Sequence, residues 1–141
     1  MYDLDRFLEA QKSLYDVALA EIKNGYKQEH WIWFIFPQLR GLGFSPEAEY
    51  YGITGLDEAK AYLKHPILRK RLIEATSAIL NLNTDYIDDF LPHPDNLKLR
   101  SSMTLFSQAE PEEKLFQEVL DRFYGGKTDE KTLQLLKNVF S

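Results

Sequence analysis

A chain of 141 residues is the size of one domain, able to bury roughly two thirds of the surface its unfolded form exposes without covalent staples. It has no cysteine, which excludes disulfides, thiolate nucleophiles and cysteine-based metal centres and fits a reducing cytoplasm, the expected location. The formal net charge of −5 argues against a surface broadly built for nucleic acid, and an aromatic share of 13% argues against disorder. The start, MYDLDRFLEA, is acidic and amphipathic, unlike a signal peptide, and the longest apolar run, Trp31 to Pro37, is far too short to span a membrane.

Helix signals run through the whole chain. Apolar residues at Leu4, Phe7, Leu8, Leu14, Tyr15, Ala18, Leu19 and Ile22 follow the helical period. They predict a first helix from Asp3 or Leu4 to about Asn24, capped by Asp3 and ended by Gly25. Gln11 interrupts its apolar face, and an amide buried there must find hydrogen-bond partners. The stretch HWIWFIFPQ, His30 to Gln38, holds both tryptophans and is apolar on every side of its centre. It is too short to assign by period, but a lone strand has nothing to pair with, so a short buried helix ended by Pro37 is expected.

Gly41 and Gly43 then mark a turn, and Ser45-Pro46-Glu47 opens a short helix that Gly52 stops. Leu56–Lys64 reads as a helix, and Pro66 opens another to about Leu80, with Leu68, Leu72, Ala75 and Ile79 on one face. Thr84 is a cap for a brief helix containing Ile87, Phe90 and Leu91, ended by Pro92-His93-Pro94. Asp95 is a cap for a helix to about Gln108. Glu110–Tyr124 reads as a helix stopped by Gly125-Gly126, and Thr128 or Asp129 starts a last helix carrying Leu133, Leu136 and Phe140. About seven helices around a central aromatic segment make an all-α fold in one domain, 1–141.

Two stretches suggest chemistry. The stretch HWIWFIFPQ reads first as a core hub, but an aromatic wall with a few polar groups at its ends, here His30 and Gln38, is also how small-molecule pockets are commonly lined. The second is KLRSSMTLF, Lys98 to Phe106. Serine and threonine compete for backbone hydrogen bonds, so three hydroxyls in four residues are an odd choice inside a helix. They fit close helix packing, or a pocket wall that offers Lys98, Ser101 and Ser102 to a carboxylate or phosphate. The histidines, His30, His65 and His93, are isolated, and the acidic Asp85, Asp88 and Asp89 lack a calcium-loop spacing, so no metal site is expected. The basic run Lys64–Arg71 reads as a solvated helix face rather than a nucleic-acid patch.

DLDRFLEAQ, GYKQEHWIWFIFPQLRGLGFS, EAKAYLKHPILRKRL, KLRSSMTLF and FYGGKTDEKTLQLL resemble, in order and spacing, a bacterial family known as domain of unknown function eighteen-ten, some members of which carry a calpastatin-like label. The resemblance spans nearly the whole chain. It implies a small, mainly helical domain and no established activity, substrate or cofactor. Gln11, Lys27, His30, Trp33, Gln38, Lys98, Ser101, Ser102 and Thr104 lie in the motifs that carry it.

These readings lead to one functional expectation and one alternative. In the first, Gln11, Lys27, Trp33, Gln38, Lys98, Ser101, Ser102 and Thr104 line a pocket for a small anionic, phosphate- or nucleotide-like metabolite, with His30 as acid–base group if it is turned over. In the second, the same residues are core and caps of a non-catalytic helical interaction module. Neither needs a cofactor, a membrane or nucleic acid.

Overall fold

The computed structural model describes residues 2–139, so the expected role of Phe140 lies outside the described residues. α1 (Asp5–Asn24) is the longest helix, and Gly25 ends it with φ 74°, a left-handed conformation that favours glycine. Its start differs from expectation. Asp3 does not cap it; Leu4 holds the cap position without a side-chain bond, while the Asp3 carbonyl accepts from the Arg6 guanidinium. α2 (Ile32–Ile35) is the buried aromatic segment, a single turn lodged among α1, α5 (Pro66–Leu80) and α6 (Asp95–Ala109). Trp31, Ile32, Ile35 and Phe36 are all but inaccessible there. Burying a large apolar side chain contributes roughly 1.5–3 kcal/mol, so this one turn organises much of the core.

α3 (Pro46–Tyr50) starts as its residues predict, with the Ala48 N–H donating to Ser45 Oγ at 3.1 Å. A parallel bridge links the chain on either side of it: Arg40 N–H donates to the Ile53 carbonyl at 2.8 Å and Ile53 N–H to the Gln38 carbonyl at 2.9 Å. Gly52 sits where this crossing is tightest, since a Cβ there would stand 2.7 Å from Arg40 Cβ and 2.8 Å from the Ala48 carbonyl. The loop is fastened to α1 by a buried ion pair. Arg6 meets Glu58 of α4 (Leu56–Lys64) at 2.8 Å and also donates to the Tyr50 and Gly52 carbonyls, while Glu58 accepts from the Thr54 N–H and hydroxyl.

His65 caps α5 with its Nδ1, which accepts from the Ile67 and Leu68 N–H groups at 3.3 Å each. At the other end Arg122 donates to the carbonyls of Leu80, Leu82 at 2.7 Å and Thr84 at 2.8 Å. The brief helix after Thr84 is a 3₁₀ turn, Ile87–Asp89, and the Thr84 hydroxyl donates to Asp89 at 2.6 Å. One boundary moves substantially: α7 spans Leu115–Tyr124, not Glu110–Tyr124. The cause is Arg69 of α5, whose guanidinium holds Glu110 through two bonds of 2.8 and 2.7 Å and draws this stretch into a turn. α8 (Glu130–Val139) begins after Asp129, whose carboxylate accepts from the Thr132 N–H. The fold is all-α, and no helix among the described residues is long and apolar enough to cross a membrane.

Candidate functional site

The chain between α1 and α2 is shaped by one carboxylate. Glu21, in the last turns of α1, accepts through one oxygen from the N–H groups of Gln28 at 2.9 Å and Glu29 at 3.2 Å and from the Trp31 indole at 2.9 Å. Burial alone would raise its pKa, but these three bonds and the nearby Lys27 charge outweigh burial and hold the carboxyl below the usual carboxylate range. The clasp presents Lys27 and His30 on one side of the loop.

Facing them is the first turn of α6. The His93–Pro94 peptide bond is cis, and Asp95 and Lys98 follow on the helix. Between the two segments lies a cleft of about 360 Å³ lined by Lys27, Gln28, His30, Ile32, Trp33, Pro92, His93, Pro94, Asp95 and Lys98. Asp95 lies between the lysines, one carboxylate oxygen 3.3 Å from Lys27 Nζ and the other 3.5 Å from Lys98 Nζ. Each ammonium also stands over a tryptophan ring, Lys27 at 5.0 Å from Trp31 and Lys98 at 4.7 Å from Trp33. Lys27 donates in addition to the Glu29 carbonyl at 2.6 Å. The buried Trp33 indole N–H finds no partner among the described residues. His30 and His93 are both exposed at the rim. A second, polar cavity of about 590 Å³ between the ends of α1 and α5 offers Asn24, Asn81 and Asn83 but only Lys23 and Asp89 as charged side chains.

Of the residues expected to share a pocket, Lys27, His30, Trp33 and Lys98 come together. The others do not reach this cleft. Gln11 is buried between helices, donating to the Phe34 carbonyl at 2.7 Å and the Tyr62 hydroxyl at 3.1 Å and accepting from Arg71 at 3.3 Å. Gln38 is buried on the loop side, next to Gly43 and behind the Ile53 bridge. Ser101 donates to Asp129 at 3.0 Å and Thr104 accepts from the Asp129 N–H at 2.9 Å, so both hydroxyls fasten the start of α8 to α6. Ser102 is fully buried, and its hydroxyl has no partner among the described residues. At about 100° per residue Thr104 lies about 120° around α6 from Lys98, whereas Ser101 lies only about 60° away and reaches Asp129 from nearly a turn further along the helix.

His93 and Asp95 were missing from the expected set. Their only sequence signal is that a Pro-His-Pro turn and an acidic residue immediately precede the KLRSSMTLF block. Glu21 could have been noticed as a carboxylate beside the apolar positions Ala18 and Ile22 of α1. No group of histidine, aspartate or glutamate among the described residues could hold a metal ion.

A family model described as "Protein of unknown function (DUF1810)" matches residues 1–136. Comparison with curated proteins gives no match. Among solved structures, the conserved hypothetical protein Rv1873 from Mycobacterium tuberculosis is 46% identical in sequence and superposes with a TM-score of 0.94, over 96% of this chain and 97% of that one. The order of its motifs, its helical architecture and the span of the match agree: the chain belongs to the DUF1810 family of proteins of unknown function.

Proposed function

We propose that this protein binds a small anionic metabolite, phosphate- or nucleotide-like, in the cleft between the Glu21-clasped loop and the first turn of α6. The observation that carries the reading is the convergence of Lys27, Lys98, His30, His93 and Trp33 on one cleft, from two segments about sixty residues apart. Its volume suits a metabolite-sized ligand, and its wall combines apolar surface with a few charged groups. Should the ligand be turned over, His30 is the group at the rim suited to move a proton. The site works in the cytoplasm, a location that the absence of cysteine fits. The alternative, a non-catalytic interaction module, would be favoured by a contiguous exposed apolar patch. The most exposed aromatics are Tyr26, Phe44, Tyr50 and Tyr86.

A thermal-shift panel of nucleoside 5′-monophosphates, cyclic nucleotides and inorganic phosphate tests the proposal. A ligand at a hundred times its Kd stabilises by about 2.7 kcal/mol, a readily measured rise in melting temperature. Lys98→Ala should remove the rise and leave the unliganded melting temperature nearly unchanged. A flat response across the panel would sink the reading.

A further inference from the structure

We infer that the cleft selects a singly charged organic phosphate, a phosphodiester, over a doubly charged phosphomonoester, and that Asp95 is the residue that sets this preference. The inference rests on the reading of the cleft as an anion site and specifies its ligand.

The charges around the cleft nearly balance before any ligand arrives. Lys27 and Lys98 each approach one oxygen of the same carboxylate, at 3.3 and 3.5 Å. Glu21, behind Trp31 and outside the lining, offsets Lys27 further. Lys27 and Lys98 against Asp95 leave the lining itself with a surplus of one positive charge, residing mainly on Lys98, to which the positive end of α6 adds only a fraction.

Neither lysine is free to follow a more highly charged ligand away from Asp95. The Lys27 side chain is only 9% exposed, and its ammonium is held by the Glu29 carbonyl and the Trp31 face. Lys98 is held over Trp33. An anion that bonds both ammonium groups must lie beside the Asp95 carboxylate. One negative charge is matched there by the surplus; a second one meets Asp95 in a partly desolvated setting, where like charges about 4–5 Å apart repel by more than they do in water. The rest of the wall favours organic substituents. Trp33, Pro92 and Pro94 offer apolar surface in the lining. A phosphodiester meets all three conditions: one charge, two free oxygens for two ammonium groups, and organic substituents.

Adenosine 3′,5′-cyclic monophosphate and adenosine 5′-monophosphate form a matched pair, one charge against two at pH 8. Calorimetric titration of the intact chain should give the cyclic diester at least about tenfold tighter binding. Asp95→Asn should tighten the monoester by about tenfold and close the gap. Equal or tighter binding of the monoester by the wild-type protein would overturn this inference and leave the anion site standing. A preference for the diester that Asp95→Asn leaves unchanged would overturn the role of Asp95. Absence of binding by both, together with a flat thermal-shift panel, would remove the anion site itself. Circular dichroism of Asp95→Asn checks its fold. If that variant fails to fold, the wild-type comparison alone decides the charge preference, and Asp95→Ser replaces it for the role of Asp95.

Discussion

Trp31 donates its indole N–H to Glu21 at 2.9 Å, and the same carboxylate oxygen takes two backbone N–H groups of the loop between them. One acceptor thus fixes a core tryptophan and the loop that carries Lys27 and His30. Replacing it by alanine would strand three donors, two of them in the backbone. Glu21→Ala should cost about 2–4 kcal/mol, measured by denaturant unfolding, whereas Glu21→Gln, which keeps an acceptor oxygen, should cost less. The acid limb gives a second readout. The folded-state pKa of Glu21 is lowered, so its contribution is complete above the unfolded value near 4.3 and is lost as pH falls through the lower folded value. Glu21→Gln should therefore show a shallower loss of stability below about pH 4 than the wild type. An unchanged acid limb would refute the clasp.

The two tryptophans should respond unequally to loss of their indole N–H. Trp31 is fully buried and its donor is used; Trp33 is half-buried and its donor is not. Trp31→Phe should lose about 2–4 kcal/mol from lost volume and a deprived Glu21. Trp33→Phe removes a desolvated, unpartnered group, which offsets part of its lost packing, and should stay within about 1 kcal/mol of wild type. Equal losses in thermal unfolding would contradict this account.

Gln11 tests whether a motif residue is structural. Its amide joins α1 to the Phe34 carbonyl, to Tyr62 of α4 and to Arg71 of α5. Gln11→Ala should destabilise by about 2–3 kcal/mol and leave the affinity of any cleft ligand unchanged, as read by calorimetry at a temperature where the variant is folded. A large loss of affinity with little loss of stability would return Gln11 to the site.

What could be read from sequence was local. Gly25, Ser45-Pro46, His65-Pro66 and Gly125 act within a turn of themselves, and the boundaries they mark match the structure. What escaped depends on partners distant along the chain. Glu110–Lys114 has the composition of a helix start, but Arg69, 41 residues earlier, holds Glu110 in a turn. The hydroxyls of KLRSSMTLF were visible as an anomaly. Asp129, which engages Ser101 and Thr104, lies 28 residues from Ser101. The cleft itself was legible in part. Lys27, His30, Trp33 and Lys98 belong to recognisable blocks, whereas Asp95 and His93 enter only because α6 begins opposite the Glu21 loop.

Arg122 shows how far such dependence reaches. The carbonyls that close α5, on Leu80, Leu82 and Thr84, are met by a guanidinium some forty residues downstream. During synthesis, therefore, the end of α5 leaves the ribosome without its partner and must rely on water until α7 has emerged. The N–H groups of Asn81 and Leu82 bond back to Ser77, Ala78 and Ile79, so their hydrogen exchange should slow once when the last turn of α5 forms and again when the guanidinium arrives, making this corner a natural clock for the late steps of assembly.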